Sequence, residues 1–329
     1  MQAILAVTIP FFALVLCGYL AAQRRVLPEA AIPGLNAYVL FFALPCMLFR
    51  FGASMPFAQL IDPPLVALYT VCALLMVAIT IAATVRRGGG GTGVSRKDAA
   101  FGALVAAFPN TGFMGVPLLV ALLGERAAGP VISTILVDLV ITSTLCLAIA
   151  QMPASSGRAD AAGLTRSVAS ALRAALTNPL PWAIGLGALA AAVNLSLPGP
   201  IDKVVRLLAD SATPVALFTI GAVLWRAGQH AHSRTPVRQF LPVALFKLLL
   251  HPALVLGGGL LARTAGIALP PGGLIVLTLA AALPSASNVS LLAERYGADN
   301  GRVARIILAS TVLAFGSFTL LAWLLGAGD

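Results

Sequence analysis

Long apolar runs separated by short polar ones fill the whole 329-residue chain. Ten runs stand out, near residues 3–22, 33–53, 63–86, 98–123, 128–152, 178–197, 203–227, 237–262, 271–293 and 303–326. A helical bilayer crossing takes roughly 20 apolar residues. The runs are continuous rather than alternating. They therefore predict helices, which satisfy their own backbone in lipid, and not the short alternating strands of a transmembrane barrel. The run at 203–227 is the least regular, because Lys203, Arg206 and Asp210 fall in its first turns. The pattern predicts an all-α integral membrane protein with ten transmembrane helices.

Composition sharpens this reading. Hydrophobic residues make up 59% of the chain and charged residues only 10%, against about 25% charged in soluble domains. Mean hydropathy is +0.97. A water-soluble enzyme and a disordered chain are both excluded. The first positive charges, Arg24 and Arg25, follow the first run rather than precede it. That run therefore reads as a retained helix and not as a cleavable leader. Cys17, Cys46, Cys72 and Cys146 all fall inside apolar runs without metal-type spacing and read as small buried hydrophobes. No metal and no cofactor is expected.

The net charge of +10 is distributed by side. Most of the 21 Lys and Arg lie after the odd-numbered runs: Arg24 and Arg25; Arg86, Arg87, Arg96 and Lys97; Arg158, Arg166 and Arg173; Arg226, Arg234 and Arg238; Arg295, Arg302 and Arg305. The positive-inside rule puts these loops in the cytoplasm and both termini outside. The bias accounts for the basicity without a nucleic-acid partner. Residues 88–93 are glycine-rich, but Val94 and Ser95 follow where a phosphate loop needs Lys and Ser/Thr, so the stretch reads as a linker. Residues 153–177 form the longest connection, with an interfacial helix expected over about 164–176.

That connection separates two related halves, 1–152 and 178–329. Pro45, Leu48, Phe49, Gly52 and Ala53 recur as Pro214, Leu217, Phe218, Gly221 and Ala222, at an offset of 169. The same offset pairs Pro10 with Pro179 and Gly18 with Gly187. At a slightly larger offset, Gly115–Leu119 matches Asn288–Leu292. Five helices per half make the second half enter the membrane in the opposite sense. The chain is thus expected to be two inverted five-helix repeats, an architecture of secondary transporters.

In such folds the site lies where corresponding helices are interrupted. The fourth run carries Pro109, Asn110, Thr111 and Gly112 in its middle, and the ninth carries Pro284, Ser285, Ser287 and Asn288. Proline removes a backbone donor and clashes with the preceding turn. Two half-helix N-termini would then offer free N–H groups to an anion, with these Asn, Ser and Thr side chains giving direction. Ordinary proline kinks are the competing explanation, weaker because the two repeats match. Charge at depth is costly, roughly 2.5–3.5 kcal/mol on insertion scales. Asp138 and Lys247 sit in mid-run, with His251 four residues after Lys247. They read as a coupling group for protons, as a cation near the substrate, or as a structural charge pair across the repeats. Asn36 and Asn178 are weaker candidates. Arg50 and Asp62 read as anchors at the outer interface.

Leu35-Asn36 with Leu44-Pro45 and Leu48-Phe49, Pro109–Gly115, Lys247 with His251-Pro252, and Pro284–Asn288 together resemble the auxin efflux carrier family. Bacterial members of that family include malonate-transporter-like proteins. The resemblance spans essentially the whole chain. It implies a fold similar to bile-acid symporters and NhaA-type sodium/proton antiporters, with the fourth and ninth helices broken and crossed. Helices 1, 2, 6 and 7 would form a scaffold, often dimeric, and helices 3–5 and 8–10 a transport domain that moves like an elevator. The expected function is secondary transport of a small organic anion, a carboxylate such as malonate, across the inner membrane. The alternatives are a sodium-coupled symporter or sodium/proton antiporter of the same fold, and a sensor that binds without moving its ligand.

Overall fold

The computed structural model describes residues 1–54, 61–85, 93–152, 169, 173, 177–229 and 235–327. Arg86, Arg87, Arg158, Arg166 and Arg234, the glycines before Gly93 and nearly all of the expected interfacial helix lie outside the described residues.

The predicted runs are helical, two of them interrupted. The helices are α1 (Gln2–Gln23), α2 (Glu29–Ser54), α3 (Pro63–Thr84), α4 (Arg96–Ala107), α5 (Thr111–Leu123), α6 (Glu125–Gln151), α7 (Pro179–Ala192), α8 (Gly199–Gln229), α9 (Val237–Thr264), α10 (Pro271–Ala281), α11 (Val289–Arg295) and α12 (Asn300–Leu324). Among the described residues, α1, α2, α3, α6, α8, α9 and α12 are long and apolar enough to cross a membrane, while α5, α7 and α10 are shorter apolar helices. The irregular run at 203–227 lies within a single helix of 31 residues, α8, whose first turns carry an exposed i,i+4 pair of Asp202 and Arg206.

Helix starts follow local chemistry. Asp62 accepts from the Leu65 amide with Pro63 in the first turn of α3, and Asn178 accepts from the Leu180 amide with Pro179 opening α7. Ser95 opens α4, accepting from the Asp98 amide while its hydroxyl reaches the Asp98 carboxylate at 2.6 Å. Asp62 is thus a cap at a helix start.

Two groups of helices pack internally. In one, α1 lies along α8 and α2 along α7. Close approach requires glycine here: a Cβ on Gly18 would overlap the Phe218 carbonyl, and one on Gly187 would overlap the Phe49 carbonyl. Gly221 meets Val15 and Gly52 meets Ile184 in the same reciprocal manner. All four contacts repeat at the offset of 169 found in the sequence. In the other group, α3 and α6 pack on α4, α9 on α3, α10 and α12, and α10 on α6. Leu16, Phe42, Leu186, Leu207, Leu261 and Val312 project outward, an apolar coat suited to lipid. Cys17 is exposed on this coat, contrary to the expectation of burial, whereas Cys72 and Cys146 are buried.

Candidate functional site

The fourth and ninth runs break where the prolines stand. α4 ends at Ala107, Phe108 is extended at φ −100° and ψ 96°, and α5 starts after Asn110. An extended residue before proline is the conformation its ring permits. α10 ends at Ala281, seven residues precede α11, and Pro284 lies among them. The two breaks touch. The Asn110 amide donates to the Pro284 carbonyl at 2.8 Å, and the Ala286 amide donates to the Phe108 carbonyl at 3.0 Å. Pro109 and Ser285 thus face each other in an antiparallel bridge. Two backbones freed from their helices satisfy one another in the protein interior.

Beside the bridge lies a cavity of about 30 Å³, room for roughly one water. Pro109, Asn110, Thr111, Gly112 and Asn288 line it, with Asn178 opposite. The Thr111 hydroxyl and the Asn288 carbonyl oxygen are buried without a protein partner. Hydrogen bonds at the break occupy the amides of Asn110, Thr111, Met114 and Gly115 and leave those of Gly112 and Phe113. Open donors at the start of the 13-residue α5 make this wall of the cavity electropositive.

Three predicted site residues stand elsewhere. Pro284 contributes its carbonyl to the bridge, the Ser285 amide is held by the Ser310 hydroxyl at 3.2 Å, and the Ser287 carbonyl accepts from the Ser290 hydroxyl. None of the three lines the cavity. The second of the two expected half-helix N-termini differs from the first. α11 has only seven residues, too few for a dipole comparable to that of α5. Asn178, ranked low in the sequence, lines the cavity, although its side chain already caps α7. The apolar part of the lining, including Leu40, Phe108, Phe113 and Leu139, had no signal that separates it from core.

Asp138, Lys247 and His251 form a second, wholly buried cluster. The sequence leaves open whether Asp138 pairs with Lys247, and among the described residues no salt bridge joins them. Instead Tyr69 of α3, a residue outside the predicted site, donates to Asp138 at 2.9 Å, and Thr142 donates to it at 3.2 Å. The Tyr69 ring lies 5.8 Å from that of His251. His251 Nδ1 is 3.0 Å from Lys247 Nζ, and Lys247 donates to the Ala281 carbonyl at 2.7 Å. That carbonyl closes α10, so the ammonium caps the negative end of a broken helix. The only sequence signal for Tyr69 was a phenol in an apolar run.

Among the described residues, four turns of π-helix interrupt these elements, at Val39–Ala43, Thr111–Gly115, Asp138–Thr142 and Phe246–Leu250. Such turns favour functional positions. Three of them hold residues the sequence analysis singled out: Thr111 with Gly112, Asp138, and Lys247. In the turn at Asp138–Thr142 a side chain takes up a backbone carbonyl, as Ser143 donates to Asp138 O at 2.7 Å.

Arg302, expected among exposed loop charges, is buried instead and donates to the carbonyls of Asp98 at 2.7 Å and Gln239 at 2.9 Å. Gly102 leaves room for it, since a Cβ there would come 2.7 Å from the guanidinium. Arg50 pairs with Asp210 of α8 at 3.2 Å, an exposed contact that fits its reading as an anchor.

A helical protein with an apolar outer coat and two broken helices bridged at their breaks belongs to the class of membrane transporters. The chain is a member of the family described as "Membrane transport protein", which it matches over residues 3–323, and which contains the auxin efflux carriers. It is 29% identical to a protein of Rhizobium meliloti (strain 1021) named "Putative malonate transporter", over all of this chain and 98% of that one. It is 26% identical to the Escherichia coli (strain K12) protein named "Uncharacterized transporter YfdV", over 93% of this chain and 92% of that one. It is 24% identical to "Auxin efflux carrier component 8" of Arabidopsis thaliana, over 77% of this chain and 80% of that one. Its relatives are named as transporters, and it is not an enzyme.

Proposed function

We propose that the protein is a secondary transporter of a small organic anion, with a carboxylate such as malonate as cargo. The observation that carries this reading is the cavity beside the crossing. Its wall holds the open amides of Gly112 and Phe113, the unpartnered Thr111 hydroxyl and the Asn110 and Asn288 side chains. Donors concentrated at a helix start favour negative charge. Pro109 and Pro284 keep the helices broken, and the Ser310 and Ser290 hydroxyls hold the backbone of the second break at Ser285 and Ser287. The name of the R. meliloti relative points to the same cargo.

On this reading the ten helical runs are two inverted repeats, 1–152 and 178–329, joined by a cytoplasmic linker at 153–177. The reciprocal glycine crossings at one offset support it. Helices α1, α2, α7 and α8 are the scaffold, through which two copies associate, and the others form a transport domain that slides as an elevator in the inner membrane. Both termini face outward. A cavity of about 30 Å³ is too small for a dicarboxylate, so the domain must move for substrate to enter. Asp138, His251 and Lys247 are the coupling cluster. Lys247 already occupies the carbonyl end of α10, where a sodium ion would otherwise find ligands. This favours an anion carrier over a sodium carrier.

The test is flux. Purified protein in liposomes accumulates labelled malonate or a related carboxylate, and Asn110→Ala abolishes the uptake. Sodium-dependent uptake of a cation, or saturable binding without any flux, would replace this reading with one of its alternatives.

A further inference from the structure

Two larger cavities flank the crossing. One, of about 220 Å³, lies between α2, α8 and α11, with Asn36 and Arg226 in its wall. The other, of about 760 Å³, lies between α2, α8 and α5, with Arg50 and Asp210 in its wall. They correspond under the internal repeat. Leu40 of the first matches Ala209 of the second at the offset of 169, and Val223 of the first matches Ser54 of the second at the same offset. Ser290 of the first matches Pro117 of the second at the larger one. The Arg226 end belongs to the side of the basic loops, the cytoplasmic side by the positive-inside rule.

Among the described residues, Leu40 alone lines both the smaller flanking cavity and the crossing cavity. It stands one turn beyond Asn36 and is half-buried. It also sits in the π-turn Val39–Ala43, the one of the four π-turns that holds no residue singled out in the sequence. The larger cavity shares no described lining residue with the crossing cavity. Leu40 thus borders both the crossing cavity and the smaller flank, and no described residue borders both the crossing cavity and the larger one.

We propose that Leu40 is the gate between the crossing site and a cytoplasmic vestibule, and that the structure is a closed, inward-facing state. The larger cavity is the outer vestibule, whose gate position is taken by Ala209. This rests on the transport reading above and adds to it a route and a gating residue. The π-turn gives the gate its freedom, because an extra residue in the turn swings the Leu40 side chain out of the regular helical row. The two gate positions are unequal. A leucine closes the inner path, whereas an alanine at the same place in the outward-facing state leaves the site open.

The experiment reads access and not transport. A Cβ at Gly112 meets no atom within 4 Å, so Gly112→Cys places a thiol in the crossing cavity without a clash. It is made in a background where Cys17, Cys46, Cys72 and Cys146 are replaced by alanine. A membrane-impermeant maleimide is then applied from each side, in right-side-out cells and in inside-out vesicles. Adding Leu40→Ala should raise cytoplasmic labelling roughly tenfold, the equivalent of about 1.4 kcal/mol in the opening equilibrium. Leu40→Trp should suppress it, and Ala209→Leu should slow labelling from outside only. Cytoplasmic labelling indifferent to the size of residue 40, or a Leu40→Ala effect confined to the outer side, overturns the gate. Leu40→Ala and Ala209→Leu keep the test decisive if the tryptophan variant does not fold. Labelling does not depend on cargo, so an absence of carboxylate flux in the parent protein overturns the substrate reading and leaves the gate standing.

Discussion

The Asn110 amide donates to the Pro284 carbonyl at 2.8 Å, across the two halves of the chain. Two prolines, 175 positions apart in the chain, thereby place their breaks in one spot, and each break supplies what the other lacks. The bridge survives only while both helices stay interrupted. Pro284→Ala restores a backbone donor and lets α10 propagate, a change worth about 3 kcal/mol toward helix. Flux should fall roughly tenfold or more, because a site displaced by an ångström loses its geometry. The variant should still elute as a single folded species in detergent. Retained flux would show that the break is an ordinary kink.

Asn110→Asp keeps the shape of the side chain and reverses the sign of what the cavity prefers. Two like charges about 4 Å apart at an effective dielectric of 20 repel by about 4 kcal/mol. Carboxylate uptake should therefore vanish in the aspartate variant, while Asn110→Ser retains part of it. Enhanced uptake of a cation by Asn110→Asp would point to the other cargo class. Uptake measured in liposomes with labelled malonate, and separately with sodium, distinguishes the two.

Asp138→Asn separates charge from geometry in the buried cluster. The amide oxygen can accept from one of the two hydroxyls, Tyr69 or Thr142, while the amide nitrogen donates to the other, so the fold should persist. If the cluster couples cargo to protons, accumulation against a gradient is lost and its response to an imposed pH gradient disappears, while exchange of internal for external substrate continues. Equal loss of both modes would make Asp138 structural.

Lys247→Met removes the ammonium from the Ala281 carbonyl and from His251. A buried carbonyl left without its charged donor costs about 1.5–3 kcal/mol. Thermal unfolding in detergent should shift down accordingly, and Lys247→Arg should recover little, because a planar guanidinium does not fit the space of an ammonium. An unchanged transition would mean that the cap contributes nothing to the break.

The glycine crossings give a control within one helix. Gly187→Val should prevent folding or lower stability by more than the usual 1–3 kcal/mol of overpacking, because the obstacle is the Phe49 backbone. Gly185→Ala, two residues away, meets nothing within 4 Å and should be neutral. Gly18→Val should reproduce the Gly187→Val defect. Expression and size-exclusion profiles of the three variants settle the comparison.

Much of this protein was written in its periodicity. Runs of apolar residues are obliged to be helices in lipid, so the helical class and the position of nearly every helix followed from the sequence, and the prolines marked both breaks. The sequence matches at an offset of 169 fall on Gly18 and Gly187, whose close contacts leave no room for another side chain. The tertiary structure decided what depends on direction. Pro109, Asn110, Thr111, Gly112 and Asn288 face the cavity while Ser285 and Ser287 do not. A broken helix has no period from which orientation can be read. Asp138 meets Tyr69 rather than Lys247, and Arg302 is buried against the carbonyls of Asp98 and Gln239 instead of facing water. A linear pattern states that a charge lies at depth, but its partners come from other helices and are set only when those helices pack.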